Sequence, residues 1–224
     1  MIHVSNLSFH YEQTPLFEQL NLTIEKGSLT AIFGPNGVGK TTFLKLLSGL
    51  MKPSSGSITV DTKSIGFLVQ RNRLDVHFPF TVYQLAEMGA FGEDTACIEY
   101  ALKTVALWDI RHKYLDEISG GQFQRALFAR LIVQNSHLIL LDEPFNAVDC
   151  QTLHYLIHQI QLWHEEGKTI LVVLHDFELI KKYFQKCIFI GSHFIESLNV
   201  HEINYEKMTQ MIFCGKHYGA HDVF

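Results

Sequence analysis

Gly34-Pro35-Asn36-Gly37-Val38-Gly39-Lys40-Thr41 is the stretch from which the rest of this chain can be read. It fits G-x-x-x-x-G-K-[ST] at every fixed position, with a short apolar run, Ser28–Phe33, in front of it and a helix-like pattern behind it. Glycines let the backbone curl until successive N–H groups point inward, and the start of a helix adds the positive end of its dipole. The loop is therefore expected to cradle an anion. Lys40 would neutralise β- and γ-phosphates, the Thr41 hydroxyl would ligate magnesium, and Thr42 would add a further phosphate contact. A tight glycine turn beside an incidental lysine is the bland alternative. The strand before and the helix after argue against it.

The pattern around the loop predicts an α/β chain. Residues 2–9 and Leu20–Ile24 alternate apolar and polar side chains, as half-buried antiparallel strands do. Thr41–Leu50 carries Phe43, Leu44, Leu46, Leu47 and Leu50 on one helical face. Thr81–Gln134 is mostly helical in pattern. His137–Leu141 and Thr169–Leu174 then read as buried parallel strands with a helix from about Asp149 to Glu166 between them, and Lys186–Ile190 reads as another strand. That alternation implies a parallel sheet with helices on its faces, an antiparallel patch at the front and a helical insertion in the middle.

Composition narrows the function classes. Of 224 residues, 47% are hydrophobic and 18% charged, which suits a chain with a sizeable core and excludes global disorder. The formal net charge of −5 gives no reason to expect a nucleic acid as main partner. The longest apolar runs, Leu138–Leu141 and Ile170–Leu174, are far below the ~18–20 residues that span a bilayer. The start, MIHVSNLSFHY, lacks the basic-then-apolar order of a secretory signal, so the chain is expected to stay in the cytoplasm. Cys97, Cys150, Cys187 and Cys214 form no paired spacing and read as reduced thiols.

Leu138-Ile139-Leu140-Leu141-Asp142-Glu143 ends a buried strand on two carboxylates, and Pro144 stops it. Beside a phosphate loop, a strand-end aspartate is suited to hold magnesium, which assigns that role to Asp142. Glu143, one residue on, would orient and deprotonate an attacking water. Between the two motifs stands Ile118-Ser119-Gly120-Gly121-Gln122, followed by Phe123-Gln124-Arg125. A serine and two glycines at a helix N-terminus make a second anion site, although alone they would read equally well as a helix cap.

These three motifs in this order resemble the ABC-type ATPases, whose signature is LSGGQ at the start of a helix, and the resemblance covers essentially residues 1–200. It implies a single domain over 1–224 with a P-loop NTPase (RecA-like) core, an antiparallel β subdomain and an inserted α-helical subdomain at about 75–135. It implies ATP and Mg2+ as ligands, with Gly34, Pro35, Asn36, Gly37, Val38, Gly39, Lys40, Thr41 and Thr42 around the phosphates. Tyr11 matches the aromatic that stacks on adenine, Gln70 the glutamine that touches magnesium and the water, and His175 the histidine that bonds the γ-phosphate. Ser119, Gly120, Gly121 and Gln122 match the groups offered to the ATP of a partner subunit. Asn146-Ala147-Val148-Asp149 matches the segment that communicates across the dimer, with Asp149 as its acidic member. By themselves, Tyr11 would pass for an ordinary strand residue and His175 for a structural histidine.

The resemblance also implies a head-to-tail homodimer that closes on ATP and opens after hydrolysis. It implies a multi-spanning permease docked near the Gln70 loop, and a peripheral place on the cytoplasmic face of the membrane. Soluble ABC ATPases of translation and DNA repair are the rival class. Those proteins usually carry two modules or a long coiled-coil insertion, and neither is present. The chain departs from the family pattern at Ile118 for leucine, Val69 for proline and Asn146 for serine or glycine, and none of these removes a group needed for hydrolysis.

For the cargo, Gln70–Val82, Asp142–Asp149 and Trp163–Thr169 are most similar to bacterial zinc-importer ATPases, with manganese importers next and ferric-chelate or cobalamin importers as alternatives. Such importers use an extracytoplasmic metal-binding protein. Thirteen histidines invite a metal-binding reading. His154 and His158 have a spacing able to share one metal, but Leu153, Leu156, Ile157 and Ile160 take the apolar face, which places the histidines at the boundary with solvent. Cys214, His217 and His221 bring ligand types together near the end of the chain, where a solvated tail is the simpler reading.

Overall fold

The computed structural model describes residues 1–12, 14–69, 79–90, 95–146, 148–191 and 194–203. They form two compact units, one of residues 1–63 and 171–224, the other of 64–170.

The first unit holds the antiparallel patch. Strand β1 (Ile2–Tyr11) lies between β2 (Thr14–Ile24) and β4 (Ser55–Val60), with Val4 opposite both Leu22 and Ile58. Inward-facing positions switch from even to odd along β1: Ile2 and Val4 are buried, then Leu7 and Phe9. The switch falls at Asn6, whose φ of 47° marks an extra residue in the ladder. The sequence carries the same signal, because Ser5 and Asn6 are two polar residues where strict alternation allows one. β2 starts at Thr14, well before the Leu20 expected from alternation, and β4 has no expected counterpart. Its side chains are all exposed or half-buried, so no apolar run announces it.

The same unit contains β3 (Leu29–Phe33), β8 (Lys186–Ile190) and β9 (Ile195–Asn199), with part of β7 (Thr169–Val173) on the other side of β3. β3 and β8 are parallel, Ile32 opposite Ile188, and both are apolar runs as strands covered on two faces must be. β9, a strand that the sequence pattern does not announce, turns back antiparallel on β8. Helices α1 (Lys40–Leu47) and α6 (Phe177–Tyr183) complete the unit. α1 buries Phe43, Leu44, Leu46 and Leu47 but ends before Leu50, which is 66% exposed and takes no part in the apolar face.

The second unit packs α2 (Val82–Glu87), α3 (Thr95–Thr104), α4 (Gly120–Gln134) and α5 (Cys150–Glu165) with the parallel pair β5 (Ile65–Leu68) and β6 (Leu138–Asp142). The helical stretch is interrupted by single 3-10 turns at Trp108–Ile110 and Leu115–Glu117. α4 is central: it buries Leu127, Phe128, Leu131 and Val133, and the Phe128 ring stacks on Trp163 of α5 at 5.7 Å. Arg130 and Gln134 of α4 donate to the carbonyls of Phe67 and Ile65 at 3.2 and 3.1 Å, which fixes the helix along β5.

Candidate functional site

In the first unit the phosphate loop leaves β3 and enters α1. Gly34, Gly37 and Gly39 adopt φ of 153°, 76° and 105°, so the chain reverses hand three times within six residues. A side chain on Gly34 would place its Cβ 2.1 Å from the carbonyl oxygen of Ile190, so this turn is possible only for glycine. Val38 is buried and anchors the loop, while Asn36 and Gly37 are exposed at its rim. The Lys40 ammonium donates to the carbonyls of Gly34 and Pro35 at 2.9 and 2.8 Å. The lysine therefore bridges back to the start of the loop it belongs to.

Among the α-helices whose N-caps are described, the one that follows this loop differs from the others. α2, α4, α5 and α6 each receive a side-chain cap, from Thr81, Ser119, Asp149 and Asp176. Gly39 offers α1 none. An N-terminus has donors that its own turns cannot satisfy, and a glycine cap leaves them to a ligand. Thr41 and Thr42 stand on this first turn, the first half-buried and the second buried. The Tyr11 hydroxyl lies 3.1 Å from Thr42 Oγ1, and its ring, 48% exposed, meets Phe9 edge-on. His175 follows Leu174, whose N–H donates to the Ile32 carbonyl at 2.9 Å, so it leaves the sheet beside the strand that feeds the loop. Asp176 then caps α6 through the N–H groups of Glu178 and Leu179, which fixes the backbone on the far side of His175.

The second unit holds the carboxylates and the signature. Asp142 ends β6 fully buried. Glu143 is half-buried, and its φ of 50° puts a non-glycine residue in the left-handed region, at a cost of about 1–2 kcal/mol. A turn follows, in which the Asn146 N–H donates to the Glu143 carbonyl at 3.3 Å and its side-chain amide to Glu143 Oε2 at 3.4 Å. Ser119 caps α4 in a capping box: its Oγ accepts from the Gln122 N–H at 3.2 Å, and its own N–H donates to Gln122 Oε1 at 2.9 Å. The hydroxyl is used as an acceptor there, at a helix N-terminus where Ser119 and Gly120 are exposed and Gly121 half-buried.

Asp149 caps α5, accepting from the Thr152 N–H at 2.7 Å and from the Thr152 hydroxyl at 3.0 Å. The Thr152 backbone bond, then the hydroxyl bond, hold its carboxyl below the ordinary aspartate value. Gln70 and Ala147 lie outside the described residues, as do Cys214, His217 and His221. His154 and His158 are both exposed, beside the apolar face of α5 as expected. Among the described residues there is no group of three or more His, Cys, Asp or Glu able to hold a metal ion. No described helix is long and apolar enough to cross a membrane. Gln124 had no assigned role in the sequence. Its amide donates to the carbonyl of Pro144 at 2.9 Å, next to Glu143. The signal that could have found it is its spacing, three residues after Gly121 and four before Phe128 on one helical face.

The family model described as ABC transporter matches residues 17–146. The chain belongs to the ABC transporter family. It is an ABC-type transport ATPase, an ATP-binding and ATP-hydrolysing subunit with the α/β fold of that family. It is 34% identical to the zinc uptake system ATP-binding protein ZurA of Listeria innocua, over 90% of this chain and 87% of that one. It is 31% identical to the manganese transport system ATP-binding protein MntB of Halalkalibacterium halodurans, over 96% and 92%. It is 36% identical to the petrobactin import ATP-binding protein YclP of Bacillus subtilis, over 82% and 80%. Among solved structures it is similar to a metal-chelate type ABC transporter in an inward-facing conformation, with a TM-score of 0.79, 28% identity and coverage of 93% and 87%.

Proposed function

We propose that this ABC ATPase energises a bacterial metal importer, with zinc as the first cargo and manganese as the second. The observation that carries the proposal is the likeness, over nine-tenths or more of the chain, to ATP-binding subunits whose names specify zinc or manganese uptake. The 36% identity to a petrobactin import subunit supports a ferric-chelate importer as the second reading.

In this reading ATP is held by its phosphates on the loop Gly34–Thr42, with Lys40 offsetting the β- and γ-phosphate charge and Tyr11 stacking on adenine. Thr41 and Asp142 offer a hydroxyl and a carboxylate, hard oxygen donors of the kind magnesium takes, and Gln70 adds a third. Magnesium, when bound, would spread the charge of the transferred phosphoryl group. Glu143 orients the water and takes its proton, and His175 bonds the γ-phosphate. Ser119, Gly120, Gly121 and Gln122 are offered to the ATP of a second copy, and Asp149 lies in the segment that couples the two. The working assembly is a homodimer on a multi-spanning permease at the cytoplasmic face of the membrane. An extracytoplasmic metal-binding protein supplies the cargo.

Uptake of labelled zinc, manganese and ferric petrobactin by the native cells, with Glu143→Gln at the chromosomal locus, tests the proposal. Selective loss of zinc uptake is the expected result. Selective loss of manganese or of ferric petrobactin uptake moves the assignment to that cargo, and unchanged uptake of all three removes the metal reading.

A further inference from the structure

We infer that Gln124 is a positioning residue for Glu143, holding by its side-chain amide the turn that carries the carboxylate. The inference rests on Glu143 acting on the attacking water, as proposed above.

Glu143 sits in a backbone conformation that its side chain disfavours, with φ at 50°. Such a residue relaxes toward ordinary dihedrals unless its neighbours are held. On its N-terminal side it is held by β6, whose Leu141 pairs with Leu68 in the parallel ladder. On its C-terminal side no strand follows. Pro144 carries no N–H, so its carbonyl is the one backbone group this residue itself can offer to a hydrogen bond. Gln124 Nε2 donates to that carbonyl at 2.9 Å. Beyond it, the Asn146 N–H closes the turn on the Glu143 carbonyl.

Gln124 is itself well placed to act as an anchor. It lies on the face of α4 that begins at Gly121 and continues to Phe128. At Gly121 a Cβ would come within 3.0 Å of both Asp149 Oδ2 and Thr152 Oγ1, so the helix start is pressed against the cap of α5. At Phe128 the ring stacks on Trp163, which is 1% exposed. The Gln124 backbone is fixed between these two contacts. The helix that presents the signature thus also grips the turn that presents the glutamate, and both belong to the same unit. A reacting group displaced by about 1 Å can lose on the order of a hundredfold in rate, so loss of this anchor should appear in kcat.

The test uses the purified full chain with Gln124→Met, which keeps length and volume but has no N–H, and Gln124→Lys, which restores a donor. Glu143→Gln serves as the reference. kcat and KM for ATP, affinity for a fluorescent ATP analogue, and Tm are measured for each. Gln124→Met is expected to lower kcat on the order of tenfold while analogue affinity and Tm stay near wild type, as for loss of an interaction made only in the transition state. Gln124→Lys is expected to recover most of the loss. Wild-type kcat in Gln124→Met, parallel loss of kcat, affinity and Tm, or no recovery with lysine each overturn the inference. If Glu143→Gln is inactive and Gln124→Met is unimpaired, only the positioning role falls. Wild-type turnover by Glu143→Gln removes the reading of Glu143 itself.

Discussion

The hydroxyl of Tyr11 lies 3.1 Å from the hydroxyl of Thr42, joining the end of β1 to the first turn of α1. The aromatic proposed to stack on adenine is therefore tied to the helix start that is proposed to hold the phosphates. The two residues so joined are 31 positions apart.

Tyr11→Phe keeps the ring and removes the tie. One net hydrogen bond is worth about 0.5–1.5 kcal/mol, so ATP affinity should weaken about two- to tenfold. Tyr11→Ala also removes the stacking surface, worth about 1–3 kcal/mol per base, and should weaken binding further. Titration of both variants with a fluorescent ATP analogue decides the matter. Equal affinities for the two would show that the ring does not stack on the base.

Gly34→Ala should abolish ATP binding and lower stability together. The added Cβ meets the Ile190 carbonyl oxygen at 2.1 Å, a backbone atom that cannot swing aside, and φ is 153°. Overpacking of this kind costs about 1–3 kcal/mol or more. Thermal melts with and without ATP check it: a lower Tm that ATP no longer raises is expected. A wild-type ATP-dependent rise in Tm would show that the loop tolerates the methyl group.

Asp149 should make α5 acid-sensitive. Its carboxyl is held below its ordinary value of 3.8, so the charged form is favoured by folding. Its stabilising effect is complete above that ordinary value and is lost as the pH falls through the depressed one. In Asp149→Asn the cap survives as a neutral amide without this titration. Tm measured from pH 7 to pH 3 should fall more steeply in wild type than in the variant. Parallel curves would show that the Asp149 carboxylate contributes nothing to acid sensitivity.

Most of the strands that carry the site were legible because their signals are short-range. β3, β6, β7 and β8 are mostly apolar, and each ends at or beside a polar or turn residue. β4, β5 and β9 were not expected. β4 and β9 keep most side chains outside the core, and β5 is only four residues long. Periodicity alone places Leu50 on the face of α1, because it does not register where a helix stops. The turn after Ser48, with Gly49 at φ 77°, stops it.

By itself, the sequence determined the chemistry that depends on neighbouring residues. The Gly34–Thr41 loop, the Ser119–Gln122 capping box and the Asp149–Thr152 cap are each closed by bonds between residues only six, three and three positions apart, where spacing sets the hydrogen-bond geometry directly. Only the tertiary structure decided which distant groups meet. Gln124 reaches Pro144 across 20 residues and Tyr11 reaches Thr42 across 31. No local periodicity encodes such a pairing, because it depends on which faces of packed elements come together. The left-handed backbone of Glu143 belongs to the same class. Its residue type prefers other dihedrals, and the strand on one side and the anchored turn on the other hold it where it is.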